Sequence, residues 1–167
     1  MPTIDIDYVE FEKLLGMTLH RDMDRVNEVL EFVKGEVKLF DEKVGVMSVE
    51  IKDTSRPDVW SVEGLARALR GFLGLEIGLR EYRVGKSIVE IEVDGRLSDI
   101  RPYIGCSIVK DVRLSDTVIR GFMHMQDKLD QTYGRSRQRT SIGLYDFDLI
   151  KQPLNYTVAK PTEISFV

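Results

Sequence analysis

Cysteine is almost missing from this chain. Cys106 is the only one in 167 residues, so no internal disulfide can form, and two histidines, His20 and His124, offer no metal-ligand spacing. Disulfide scaffolds and zinc enzymes are thereby excluded. No stretch approaches the ~18 consecutive apolar residues of a membrane span, and residues 1–7 lack the basic and apolar regions of a signal peptide. Positive charge is not in excess either: 24 Lys and Arg stand against 28 Asp and Glu, a net charge of −4, which argues against a dedicated basic nucleic-acid binder. Fixed-period repeats and low-complexity segments are absent. Gly71, Gly74 and Gly78 lack the strand–turn–helix setting and the Lys-Ser/Thr pair of a phosphate loop. Catalysis by a Ser-His-Asp or Cys-His set would have to use His20 or His124, and His124 falls on the polar side of its helix. The expectation is a soluble cytoplasmic protein with no catalytic nucleophile and no metal.

What is present is enough to build a core: 43% hydrophobic and 31% charged residues. The charge is uneven, net −6 over residues 1–60 and +2 over 61–167, a hint of two domains or two faces. Thr3–Asp7 alternates as a short strand. Asp7 then caps a helix, with Glu10 in capping-box position and Gly16 as the stop. A second helix is predicted over residues 21–34, with Gly35 as its C′ glycine, followed by a hairpin of Val37–Phe40 and Val44–Ile51. After the polar loop Asp53–Asp58, Ser61 opens a third helix. Its apolar stripe is Val62, Leu65, Leu69, Phe72 and Leu73, and Glu63 and Arg67 lie on its wet side. Beyond Gly78 the pattern predicts a half-buried strand around Val89–Val93 and a fully buried strand over Tyr103–Val109 that contains Cys106 as an inert thiol. A helix over residues 115–133 closed by Gly134 comes next, then strands over Arg135–Leu144 and Tyr156–Ala159. The fold class read from this is α/β (α+β): a small α/β domain over residues 1–84 and the start of a second from about residue 85. The apolar end Ile164–Val167, with no polar tail, reads as a chain that continues further.

Three groups of side chains stand out. Asp53, Arg56 and Asp58 form a charged loop, either an internal ion-pair and capping cluster or a contact to a partner; Arg56 is expected to be bridged by Asp53 or Asp58. Arg135, Arg137 and Arg139 recur every second residue and on a strand would share one face. Three neighbouring cations want anions, an RNA backbone or an acidic partner, unless they only guard a solvated edge strand. Gln126 falls inside the apolar arc of its helix with Val118, Phe122, Met125, Leu129 and Tyr133. A buried amide needs hydrogen-bond partners, so Gln126 is either structural or faces a ligand. With Arg137 on a strand returning along this helix, the two would share one cavity.

Several stretches together resemble the N-terminal part of the β subunit of phenylalanine–tRNA ligases of the archaeal and eukaryotic type. They are the opening Met1-Pro2, the run DTSRPDVWSVEGLARALR over Asp53–Arg70, DIRPY over Asp99–Tyr103, QDKL over Gln126–Leu129, and RSRQRTSIGLYDFD over Arg135–Asp148. A departure is Ser55, where that family often has Asn before the arginine. The resemblance implies that residues from about 85 begin a B3/B4-type domain that hydrolyses tyrosine wrongly attached to tRNA-Phe by positioning a water. Gln126 and Arg137 would line its substrate pocket, and Arg135 and Arg139 would be tRNA contacts. It also implies an α2β2 assembly with the α subunit, which holds the ATP, magnesium and phenylalanine site, so this chain alone needs no cofactor and is inactive. Membrane and DNA are not among the implied partners. The rival reading is a free-standing tRNA- or protein-binding module using the Arg135–Arg139 face; an independent deacylase would lack a nucleophile–base pair.

Overall fold

Alternation in the first fifty residues determines the first sheet. In the computed structural model, which describes residues 2–165, β1 (Thr3–Asp7) and β3 (Val46–Ile51) pair antiparallel, and β2 (Gly35–Asp41) pairs antiparallel with β3 on its other side, giving the order β1-β3-β2. The register places Ile4 opposite Val49 and Ile6 opposite Met47. With the side-chain period of two, this sends Ile4, Ile6, Met47, Val49 and Ile51 to one buried face. That face closes against Tyr8, Phe11 and Leu15 of α1 (Tyr8–Leu15), Val26, Val29 and Leu30 of α2 (Met23–Glu31), and Leu65 and Leu69 of α3 (Val62–Phe72) in one hydrophobic cluster.

Local chemistry sets the helix ends. The Asp7 carboxylate accepts the Glu10 N–H at 2.8 Å, and the Ser61 hydroxyl accepts the Gly64 N–H at 3.1 Å, satisfying amides that have no partner within the helix. Gly16 ends α1 in the left-handed conformation, φ 75°. The Arg70 guanidinium donates to the Leu15 carbonyl at 3.1 Å while its Nε donates to Glu76 at 3.0 Å, so a cation from α3 closes the negative end of α1. Gly64 is required by packing: a Cβ there would stand 1.8 Å from the Asp58 carbonyl oxygen. The predicted end of α2 is corrected. Lys34, not Gly35, adopts the left-handed turn (φ 54°), because buried Gly35 already begins β2 against Leu30 and Ile51. The loop between α1 and α2 is held by a network that the sequence pattern does not reveal. The Glu12 carboxylate accepts the Tyr8 hydroxyl (2.9 Å) and the backbone N–H groups of Leu19 and His20, and Tyr8 Oη accepts the Arg21 N–H (2.8 Å). Burial pushes the Tyr8 phenol above its ordinary range.

By its contacts the chain divides into two compact units, Met1–Arg80 with Leu114–Gly143, and Glu81–Arg113 with Leu144–Val167. In the first unit α4 (Asp116–Gln131) starts at Ser115, whose hydroxyl accepts the Val118 N–H, and Lys128 donates to the Thr3 carbonyl at 3.2 Å. Its arc of Val118, Phe122, Met125 and Leu129 is only half-buried and stands outside the hydrophobic cluster, while Tyr133, beyond the helix end, is exposed. The second unit is built on the parallel pair β4 (Ile91–Val93) and β5 (Leu154–Tyr156). After β4, Asp94 accepts Arg96 Nε at 2.9 Å and the Thr157 hydroxyl at 2.8 Å; these donors hold the Asp94 carboxyl well below the usual carboxylate range.

Two predicted strands are not formed. Tyr103–Val109 is irregular and mostly exposed, Tyr103 at 90% and Val109 at 75%, and Cys106 is exposed rather than packed. A continuous apolar run makes a buried strand only where other strands flank it, and none pairs with it among the described residues. Arg135–Leu144 is a turn and loop. The predicted last strand is displaced to Leu154–Tyr156. Of the predicted apolar end, Phe166 and Val167 lie outside the described residues.

Candidate functional site

Two of the three singled-out groups, Gln126 and the arginines Arg135, Arg137 and Arg139, lie on the last turns of α4 and just beyond its C-terminal end. Arg135, Ser136 and Arg137 are left-handed in succession, with φ of 49°, 55° and 67°. Each such non-glycine residue costs roughly 1–2 kcal/mol unless its surroundings hold it. Here they are held by backbone bonds from Ser136 N–H to the Gln131 carbonyl (3.3 Å), Arg137 N–H to the Asp130 carbonyl (3.1 Å) and Arg139 N–H to the Gly134 carbonyl (2.9 Å). Gly134 sits at the tight point; a Cβ there would lie 2.5 Å from the Thr140 carbonyl and 2.7 Å from that of Asp130.

This geometry corrects the expected arginine face. A strand would put residues 135, 137 and 139 on one side by its period of two; the segment is instead a left-handed turn, which has no such period. Arg137 is tied to the helix end, its Nε donating to Asp130 at 2.9 Å and its Nη2 lying 3.9 Å from Asp127. Arg135 and Arg139 are exposed and make no ion pair among the described residues. Alternation mistakes a polar turn for a strand when its residues are long and charged, because period two is present in the letters without a strand to display it.

Asp127, Asp130, Gln131, Ser136 and Arg137 line an open recess of about 170 Å³. Arg137 is therefore at the recess. Gln126 is half-buried on α4, one turn before Asp130, makes no hydrogen bond among the described residues, and is not among the lining side chains. The two are brought to the same end of the unit, but the returning strand expected to unite them in one cavity is absent. The residue that sequence reasoning missed is Asp130, only 2% exposed. One signal was available: a carboxylate in the last turn of a helix faces the negative end of the dipole and needs donors. Asp130 finds them in Arg137 and in the Ile142 N–H (3.0 Å).

At the other charged loop the expected bridge is present. Arg56 Nε and Nη2 donate to the two oxygens of Asp58 at 2.9 and 2.7 Å, and the guanidinium holds the Asp58 carboxyl below its ordinary range. Asp53 instead accepts from the Ser55 hydroxyl and N–H, which lower its pKa. Glu63, expected on the wet side of α3, has a buried Oε2 without a hydrogen-bond partner, and its other carboxylate oxygen would lie 2.6 Å from a Cβ at Gly121 of α4.

No group of three or more His, Cys, Asp or Glu side chains among the described residues is arranged to hold a metal ion. Nor is any described helix long and apolar enough to cross a membrane. No protein-family model matches the chain. Along its whole length it is 37% identical to the phenylalanine–tRNA ligase β subunit of Methanosphaera stadtmanae, and over 98% of it 38% identical to that of Pyrococcus horikoshii. It spans 29% of the length of either relative. Among solved structures, an N-terminal fragment of the phenylalanyl-tRNA synthetase β subunit from Pyrococcus horikoshii superposes with a TM-score of 0.86 at 36% identity, covering 96% of this chain and 46% of that one.

Proposed function

Starting from the homology of this chain to the N-terminal part of archaeal phenylalanine–tRNA ligase β subunits, we propose that it serves in such an enzyme, and that its second part begins the domain that removes tyrosine from mischarged tRNA-Phe. In this reading residues 1–84 are the opening α/β domain and residues 85–167 the first part of the editing domain. The α subunit is the partner in an α2β2 assembly in the cytoplasm, and ATP and magnesium are used there. No residue of this chain is assigned to either. The reaction at the editing site is hydrolysis of an ester by a positioned water, which needs no protein nucleophile; the side chains bind and orient. An arginine at a recess suits the anionic 3′ end of tRNA, and an amide suits the aminoacyl group or the water. Arg137 and Gln126 are given these roles, and exposed Arg135 and Arg139 are given contacts to the RNA backbone.

The observation that supports the reading most is the placement of Arg137 at the recess. The test is deacylation of tyrosyl-tRNA-Phe by the ligase assembled from a full-length β subunit that carries this segment. Gln126→Ala and Arg137→Ala are each expected to lower kcat/KM by about tenfold or more. Near-wild-type rates for both would remove the assignment. Replacing Arg135 and Arg139 is expected to flatten the salt dependence of tRNA binding, its slope falling by about one unit for each phosphate no longer neutralised.

A further inference from the structure

Phe32 and Phe72 stand at the C-terminal ends of two different helices, α2 and α3, and their rings stack with centroids 5.8 Å apart and planes at 15°. Both remain in solvent, 52% and 54% exposed, although Phe72 continues the apolar stripe of α3. Their backbones are fixed from within. Val29, Leu30 and Val33 beside Phe32, and Leu69 one turn before Phe72, belong to the buried hydrophobic cluster. Two rings held in this way lose little freedom when another surface covers them.

The charges nearby indicate the chemistry of that surface. The last turn of α2 holds Glu28 and Glu31 and no basic side chain, where the helix dipole favours cations. Both carboxylates are exposed, and neither has an ion pair or a side-chain hydrogen bond among the described residues. Arg25 is the only cation of α2, against Asp24, Glu28 and Glu31. Beyond the helices, Lys34 lies 3.8 Å from Asp53, and Arg70 is engaged by Glu76 and the Leu15 carbonyl. An acidic rim repels an RNA backbone and attracts lysine and arginine. Size narrows the choice further. Two half-exposed rings offer on the order of 200 Å² of apolar surface, well below the ~800 Å² per partner of a stable complex between separate proteins. A segment tethered to the same chain needs less, because the tether supplies a high effective concentration. The chain spans 29% of the length of its relatives, so the longer β subunit of the proposed function is the source of such a segment.

We propose that the Phe32–Phe72 pair docks a later segment of the same β subunit, one that presents an apolar side chain flanked by lysine or arginine. The proposal rests on the reading of this chain as part of a ligase β subunit, and not on the editing roles of Gln126 and Arg137.

The experiment uses the ligase assembled from the α subunit and a full-length β subunit that carries this segment. Phe32 in one preparation and Phe72 in another are replaced by photoreactive benzoylphenylalanine, and the cross-linked peptides are mapped after irradiation. Both positions are expected to join a β peptide beyond residue 167 that contains lysine or arginine, with the β band keeping its own mass on a gel. Cross-links to the α subunit, a β–β band, cross-links that need added tRNA-Phe, or none from either position would overturn the proposal. Glu28→Lys combined with Glu31→Lys is expected to lower the cross-link yield by about fivefold or more. In the 167-residue chain the same pair is expected to raise the thermal midpoint by about 2 °C, because it puts cations at the helix C-terminus. An unchanged yield would overturn the basic partner, and a lowered midpoint would show that the carboxylates serve the fold instead. Deacylation by Arg137→Ala reports on the editing reading by itself, so either reading can fail while the other stands.

Discussion

Residues before and after about position 80 carry the same kind of apolar patterning and meet different fates. Before it, alternation in β1 and β3 and the stripes of α1, α2 and α3 converge in one cluster that includes Phe11, Leu15, Val26, Leu30, Val49, Leu65 and Leu69. After it, Leu97 alone among the described hydrophobic side chains is buried, while Val84, Tyr103 and Val109 stand largely in solvent. Periodicity identifies a face that gains by burial, and burial requires a second face within reach. In the first region three helices and a sheet supply each other's partner. In the second, two strands of three residues each make the only described sheet, too little surface to cover the neighbouring runs.

If that contrast is right, the same kind of truncation gives opposite results in the two regions. Phe11→Ala is expected to lose about 3–5 kcal/mol of unfolding free energy, and Tyr103→Ala to stay within about 0.5 kcal/mol of wild type, both read from denaturant midpoints. A loss of several kcal/mol at Tyr103 would mean that the second region has a core after all. Glycines give the next largest effect. Gly64→Ala drives a methyl into the Asp58 carbonyl and is expected to destabilise by about 1–3 kcal/mol. Gly105→Ala, with nothing within 4 Å of the new methyl, is expected to be neutral in the same measurement. The smallest effect is at the Arg56–Asp58 pair, which is more than a third exposed on both sides and so is screened to about 1 kcal/mol or less. The folded-state pKa of Asp58 is lowered by Arg56, so the contribution is complete above the ordinary aspartate range and fades as pH falls through it, below about pH 4. Arg56→Ala is therefore expected to shift the thermal midpoint slightly at pH 7 and by progressively less as pH falls below about 4; a shift that does not change with pH would assign the loss to packing.

Much of the first region is legible in the sequence because its signals are local. Alternation in Thr3–Asp7, the cap at Asp7, the stop at Gly16, the hairpin and the helix after Ser61 each need only a few neighbouring residues to specify them. The Arg56–Asp58 bridge is legible for the same reason, with two residues of separation. What escapes depends on contacts distant in sequence. Lys34 takes the left-handed turn because Gly35 is needed at the start of β2 against Ile51. Glu63 turns inward because Gly121 of α4 leaves room for it. The candidate site is half-legible: Arg137 can be singled out, and the recess contains it, but the turn that carries it is decided by Asp130 and Gly134. A carboxylate beneath a run of arginines gives no periodic signal.

On the proposed function, the second region is the opening part of a domain whose remaining surface comes from the longer β subunit. Amide hydrogen exchange tests this when the 167-residue chain is compared with the same residues inside a full-length β subunit in its ligase. Met47, Val49, Leu65 and Leu69 are predicted to be protected alike in both, while Ile104 and Val109 exchange rapidly in the short chain and become protected in the long one. Rapid exchange of Ile104 and Val109 in both would contradict the proposal.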